Sequence, residues 1–398
     1  MQYVIIGNGV AGTTAALNIR KFDSEGKIII LSDEPYPFYS RIRLPEYLGK
    51  ALEEKDLIIR KDTWYEENRI DLVLSTAVTD IDTTEKKVIA SGKPAIKYDR
   101  LLIATGGVSF VPPIPGAGKK GVFTLRTLKD ALEIKEYAKR SNNRVVMIGG
   151  GVLGLEAGNG LRLSGNFISV VEFFPRLLPR QMDTAGAEIL KTALEKMGFR
   201  FHLGVQSKEI TGPEKVEALL LDNGTRIDCD MILISAGVRH NSLLAQKLEL
   251  PIEKGVIVNN RMETAIPDVY AAGDLIQHNG VFYGIWPAAE KQGEVAGINM
   301  AGGNAEYQGT VISNTLKVAG IDICAAGDID VEGHKEAIIF KDADNSIYKK
   351  LVIQNNAIIG TILCGDIKDR QKIIKAIESG KDISPIRKEL ELWNMENL

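Results

Sequence analysis

The sequence predicts an α/β chain of two Rossmann-like, three-layer units followed by a small α+β domain. The first observation is a pattern that occurs twice. An apolar, largely β-branched run enters a glycine-rich turn and then a helix of small residues: Tyr3-Val4-Ile5-Ile6 leads into Gly7-Asn8-Gly9-Val10-Ala11-Gly12, and Val145-Val146-Met147-Ile148 leads into Gly149-Gly150-Gly151-Val152-Leu153-Gly154. The second is a change of texture from about Thr310, where hairpin-type strands replace buried parallel ones.

A glycine turn alone says little, but one framed by a strand and a helix is a dinucleotide-binding fingerprint. The first glycine permits the tight turn, the second lets backbone approach a pyrophosphate, and the third lets helix and strand pack closely. The pyrophosphate then rests on the unpaired N–H groups at the positive end of the helix. Gly7, Gly9, Val10, Ala11 and Gly12 are the candidates for one dinucleotide, and Gly149, Gly151, Leu153 and Gly154 for a second. Two dinucleotides on one chain point to electrons passing from one to the other.

The composition fits this reading. The 398 residues exceed one ordinary core, and the 44% apolar and 25% charged fractions are those of a soluble globular protein. The 39 glycines suit a chain in which several turns admit ligands to the backbone. A net charge of −3 without blocks of like charge argues against nucleic acid or an anionic membrane as partner. The chain enters a strand at Tyr3, so no signal peptide is expected; no apolar run is long enough to span a bilayer, and the cytoplasm is the expected location. Cys229, Cys324 and Cys364 lie far apart in apolar stretches and read as buried hydrophobes; with four histidines, no metal site is expected.

After the first turn and helix, Lys27-Ile28-Ile29-Ile30-Leu31 is a second buried strand, ending at Ser32-Asp33-Glu34 where a ribose-binding acid belongs. A polar and aromatic segment, Pro35 to Lys50, follows. Leu101-Leu102-Ile103-Ala104-Thr105-Gly106-Gly107 is a strand ending in small residues, and Val111-Pro112-Pro113-Ile114-Pro115-Gly116 a stiff crossing. In the second unit, Phe167-Ile168-Ser169-Val170-Val171 ends at the acid Glu172, and Met231 to Gly237 is another strand with a small-residue turn. Asp268 to Asp274 repeats that form, and Pro287 opens a helix running to about Asn299. Two strands around Asn355-Asn356 form a hairpin, and a helix lies near Lys368–Ser379.

In this order the motifs resemble the FAD-dependent pyridine nucleotide oxidoreductases with two dinucleotide-binding domains, over nearly the whole chain. Thr105-Gly106-Gly107 matches that family's first domain crossing and Ala272-Gly273-Asp274 its second FAD motif. The resemblance implies an FAD domain split by an inserted NAD domain: residues 1–115 and 238–309 for FAD, 116–237 for NAD, and 310–398 as the small third domain. Tyr39-Ser40-Arg41-Ile42-Arg43-Leu44-Pro45, and the stretch from Leu316 to Ile329, look nearest to NADH:rubredoxin oxidoreductases, and the flavin portion of nitrite reductase large subunits is similar too. One departure sets the subclass. Family members that work through thiols carry one or two cysteines after the first acid; this chain has Ser40, Arg41, Ile42 and Arg43 there. Without a thiolate there is no thiol relay.

The resemblance then assigns roles. Asp33 or Glu34 holds the FAD ribose; Ala104, Thr105, Gly106, Gly237 and Gly273 line the cofactor crossings; Asp274 bonds a ribityl hydroxyl; and the helix opening at Pro287 and Ala288 faces the flavin pyrimidine edge. Arg41 is a candidate contact to FAD phosphate. Glu172 accepts from a free ribose diol and repels a 2′-phosphate, which favours NADH, while Arg176 and Arg180 leave NADPH open. Glu156 matches the glutamate near the nicotinamide, with Arg43 in place of its usual lysine partner. The expected activity is hydride transfer from NADH to FAD, then electron release to a small rubredoxin-like protein. The alternatives are an NADH oxidase reducing dioxygen, a flavin subunit of another reductase such as nitrite reductase, or a flavin-bearing sensor or scaffold.

Overall fold

The structure, a computed structural model, describes residues 1–49, 51–139, 142–311 and 313–398, with backbone only for 313–316. Lys50, which closes the polar and aromatic segment, lies outside the described residues. The chain forms two compact units. One holds Met1–Ser40, Glu54–Val108 and Val238–Thr310; the other holds Arg41–Glu53, Ser109–Gly237 and Val311–Leu398.

The first unit is built on a parallel sheet in the order Val269–Ala271, Arg100–Ile103, Gln2–Ile6, Lys27–Leu31 and Ile70–Val73. Its central strands are apolar without alternation because both faces are covered: Val4, Ile5, Ile28, Ile30, Leu101 and Leu102 are fully buried. The strands stop earlier than the apolar runs suggest, at Ile103 and Ala271. Their small-residue ends leave the sheet to make the turns that face the crevice beyond the strand ends, where ligands bind in open α/β sheets.

Helix Val10–Phe22 packs along helix Trp286–Met300 with backbones nearly in contact. A methyl group on Gly293 would meet the Ala11 carbonyl oxygen at 2.4 Å, and one on Gly297 the Ala15 oxygen at 2.4 Å. That register makes the helices parallel, and the second starts about six residues earlier along the shared axis. Its N-terminus therefore projects roughly 9 Å beyond that of the first.

The second unit contains another parallel sheet, ordered Arg200–Leu203, Phe167–Glu172, Arg144–Ile148, Met231–Ile234 and Val122–Thr124. It also contains a five-stranded antiparallel sheet: Ser313–Val318, Ile321–Gly327, Ala357–Cys364, Ile347–Gln354 and Glu336–Asp342. The predicted hairpin is the Ile347–Gln354/Ala357–Cys364 pair, turned by Asn355 (φ 51°) and Asn356 (φ 57°), the left-handed pair that matches strand twist. Helix Arg370–Ser379, ended by left-handed Gly380, covers this sheet with Ile373 and Ala376 in the core.

Buried polar contacts join the two sheets' domains within this unit. Asp183 caps helix Thr184–Lys196 by accepting the Gly186 N–H at 2.9 Å. Its other oxygen accepts from Tyr348 OH at 2.6 Å and pairs with Lys350 Nζ at 3.2 Å. Residues 41–53, placed with the first unit in the sequence reading, cluster with the second, where Ser164 Oγ donates to the Leu48 carbonyl at 2.8 Å. All three cysteines are buried, and loss of water pushes Cys229 and Cys364 up to about 12. Among the described residues no helix is long and apolar enough to cross a membrane.

Candidate functional sites

The two glycine turns are built to the same plan. Gly7 has φ +115° and Gly149 φ +116°, and a side chain on either would strike a carbonyl oxygen at 2.2 Å, that of Ala104 or Ser235. At Gly12 and Gly154 a methyl group would lie 2.0 and 2.5 Å from the oxygen of the turn's own first glycine. Gly9 and Gly151 differ: nothing lies within 4 Å of where their side chains would be. The outer glycines are therefore required by the protein itself, while the middle ones keep a space open in front of each helix.

Both helices end in that space without a cap. Gly9 and Gly151 are the N-cap residues of Val10–Phe22 and Val152–Leu163, with no side-chain acceptor and no acid in the first turn. Two other helices of the same chain are capped by side chains, Thr184–Lys196 by Asp183 and Leu128–Tyr137 by a Thr127/Asp130 capping box. Unsatisfied N–H groups and the positive helix end facing an open cradle make an anion site. The residues present thus fit a dinucleotide pyrophosphate at each turn. Val10, Ala11 and Leu153 are first-turn residues of these helices.

Around the first turn, Glu34 accepts from Tyr39 OH at 2.6 Å, and Asp33 is exposed. Thr105 Oγ1 donates to the Asn241 carbonyl at 2.9 Å and the Asn241 N–H donates to Gly106 O at 2.9 Å, which pins the small-residue crossing after Ala104. Gly273 (φ +83°) donates its N–H to Gln292 Oε1 at 2.9 Å, fixing the turn that carries half-buried Asp274. The Trp286–Met300 helix has Pro287 in its first turn, Ala288 buried, and no side-chain cap at its N-terminus.

Around the second turn, Glu172 is 7% exposed. Its Oε2 accepts the Gly150 N–H at 2.6 Å and its Oε1 the Phe174 N–H at 2.9 Å. Arg176 folds onto its own loop, donating to the Met182 carbonyl at 3.2 Å and the Pro179 carbonyl at 3.3 Å, whereas Arg180 is exposed. Gly237 (φ +106°) is open on its side-chain face.

Glu156, in the helix of the second turn, titrates at about 7. Burial raises it first, the charge of Glu46 adds to that, and the Lys317 backbone N–H opposes both. Arg43, expected to pair with Glu156, has its guanidinium 3.1 Å from the carboxylate of Glu46, three residues on. The i,i+3 spacing brings those two side chains onto one helical face. Arg41 Nη1 donates to the Arg126 carbonyl at 3.0 Å, so its guanidinium is anchored to the chain just before the Leu128–Tyr137 helix.

Sequence reasoning missed several polar groups: Asn8 with Tyr65, Gln292 behind Gly273, and Asp183 with Tyr348 and Lys350. Asp183 alone had a legible signal, an N-cap residue directly before a helical stretch.

A family model described as pyridine nucleotide-disulphide oxidoreductase matches residues 1–293, and one described as the rubredoxin NAD+ reductase C-terminal domain matches 313–381. A nitrite reductase [NAD(P)H] of Bacillus subtilis is 38% identical over 97% of this chain, which spans about half of that relative's length (48%). NADH-rubredoxin oxidoreductase of Clostridium acetobutylicum is 33% identical, with 97% of this chain and 96% of the relative covered. The crystal structure of NADH:rubredoxin oxidoreductase from that organism superposes with a TM-score of 0.83 at 31% identity, covering 99% of each chain. The chain belongs to the pyridine nucleotide-disulphide oxidoreductase family.

Proposed function

We propose that the chain is an FAD-dependent NADH oxidoreductase that passes electrons to a small redox protein of the rubredoxin kind. The observation that carries this reading is the pair of open, uncapped glycine-fronted helices on a chain whose three cysteines are all buried. The full-length likeness to an NADH-rubredoxin oxidoreductase supports the choice of acceptor. When bound, FAD supplies a hydride acceptor that gives up its electrons one at a time.

The chain's own residues bind and orient. The N–H groups following Gly9 hold the FAD pyrophosphate, Asp33 or Glu34 its ribose, and the Gly273-Asp274 turn the ribityl chain. The N–H groups following Gly151 hold NADH, with Glu172 turned toward the ribose diol. Arg176 is spent on its own loop, which leaves Glu172 to decide in favour of NADH over NADPH. Glu156, half-buried and titrating at about 7, gains and loses a proton near neutral pH. Arg43 pairs with Glu46, whose charge in turn acts on Glu156. We divide the chain into a split FAD domain, an inserted NAD domain and a third domain locked to the NAD domain through Asp183, and we place its action in the cytoplasm, where NADH is supplied.

A second reading is favoured by the Bacillus subtilis relative, of which this chain spans 48%: the same two sites serve as the flavin portion of a longer reductase. Anaerobic stopped flow separates the readings. Fast bleaching of the flavin by NADH, followed by fast reoxidation with rubredoxin, is the expected result. Fast bleaching by NADH with reoxidation by rubredoxin no faster than background would overturn the first reading and leave the flavin portion of a longer reductase.

A further inference from the structure

The residue between the first two glycines of the first turn carries a buried donor with no acceptor. Asn8 Oδ1 accepts from Tyr65 OH at 2.9 Å, and the Tyr65 oxygen accepts the Phe38 N–H at 3.0 Å. Asn8 Nδ2 is buried and has no hydrogen-bond partner.

The relay decides which way the amide faces. Tyr65 has one hydroxyl proton, and turning the amide over would set that proton against Nδ2, itself a donor. Tyr65 is 3% exposed and held edge-on by Trp64, with ring centroids 4.9 Å apart. The donor end is therefore fixed in orientation on the residue that joins Gly7 to Gly9, and the side-chain face of Gly9 is open. A buried donor left without an acceptor calls for a missing partner. The second turn makes the contrast: the residue in the place of Asn8 is Gly150, which has no side chain, and its N–H is taken by Glu172. One turn thus presents an amide donor where the other presents a carboxylate.

We propose that Asn8 Nδ2 donates to a phosphate or ribose oxygen of the dinucleotide held at the first turn, with Tyr65 and the Phe38 N–H as the groups that position it. The inference rests on the reading of that turn as the FAD site. No covalent or redox step is involved. An amide at this place adds a neutral donor to those of the helix end, and distinguishes the turn that keeps its dinucleotide from the turn that exchanges it.

The test is FAD affinity of stripped protein, followed by quenching of flavin fluorescence, with far-UV circular dichroism to confirm the fold. Asn8→Ala is expected to weaken FAD binding about tenfold or more, the loss for one hydrogen bond to a charged acceptor. Asn8→Asp keeps the Tyr65 contact but turns a carboxylate oxygen toward the ligand, and weakens binding further. Tyr65→Phe keeps the donor and frees its orientation, so it costs about threefold or less. If Asn8→Asp does not fold, the ratio between Asn8→Ala and Tyr65→Phe decides. Asn8→Ala and Asn8→Asp binding within about twofold of wild type, or Tyr65→Phe losing as much as Asn8→Ala, would overturn the inference while FAD binding by the wild type stands. Absence of FAD binding by the wild type would instead overturn the underlying reading.

Discussion

The carboxylate of Glu172 receives the N–H of Gly150 at 2.6 Å, so the acid that ends the second strand is part of the glycine turn beside it. Its second oxygen is engaged by the Phe174 N–H. An acid held at both oxygens by backbone cannot swing aside for a 2′-phosphate without stranding the buried Gly150 N–H.

Glu172→Gln presents one oxygen and one donor to two backbone N–H groups. It is expected to cost about 1–3 kcal/mol of stability and to weaken NADH binding about tenfold, with NADPH affected less. Urea unfolding and paired NADH and NADPH titrations check both parts.

Glu156 predicts a pH dependence with a definite sign. Its carboxyl titrates at about 7 against an ordinary value of 4.5, so the folded chain binds the extra proton between those values. Its contribution to stability is present below about pH 4.5 and is lost as pH rises through about 7. Glu156→Gln should remove that fall, seen as a urea midpoint that changes less across the window. Arg43→Ala, which leaves Glu46 unneutralised, should move the Glu156 midpoint further up.

The glycines divide by what their side chains would meet. Gly9→Ala and Gly151→Ala fill open space, so both variants should fold with thermal midpoints near wild type. The first should fail to retain FAD and the second should retain it but lose NADH binding, read from the flavin spectrum and from an NADH titration. Gly7→Ala and Gly149→Ala meet a carbonyl at 2.2 Å with positive φ, and should instead lower the yield of folded protein.

Asp183 and Lys350 form a buried pair, with side chains 12% and 3% exposed. Asp183→Ala leaves that ammonium without its counter-charge and the helix without its cap, a loss of about 3–5 kcal/mol. Asp183→Asn combined with Lys350→Met should cost less than the sum of the single changes, as a double-mutant cycle by chemical denaturation would read.

Much of the fold was legible because parallel strands buried on both faces leave unbroken apolar runs, as at Lys27–Leu31 and Arg144–Ile148. The glycine turns were legible for the same kind of reason: Gly7 and Gly149 occupy positions that tolerate nothing larger. The Asn355-Asn356 hairpin followed from turn chemistry. What escaped were contacts between residues distant in sequence. Tyr65 meets Asn8 across 57 positions and Tyr348 meets Asp183 across 165. Periodicity says which face a side chain lies on, never which distant polar group it meets. Even the short-range Arg43–Glu46 ion pair, three positions apart, went unread, because the spacing alone does not say which acid an arginine takes.

The central claim is that electrons leave this chain from the flavin itself, with no thiol between. Anaerobic titration of the FAD-loaded protein with NADH, followed at the flavin absorbance, tests it most directly. A chain without a redox-active thiol pair should be fully reduced by one NADH per FAD. A requirement for two NADH per FAD would reveal a second two-electron acceptor and contradict the account.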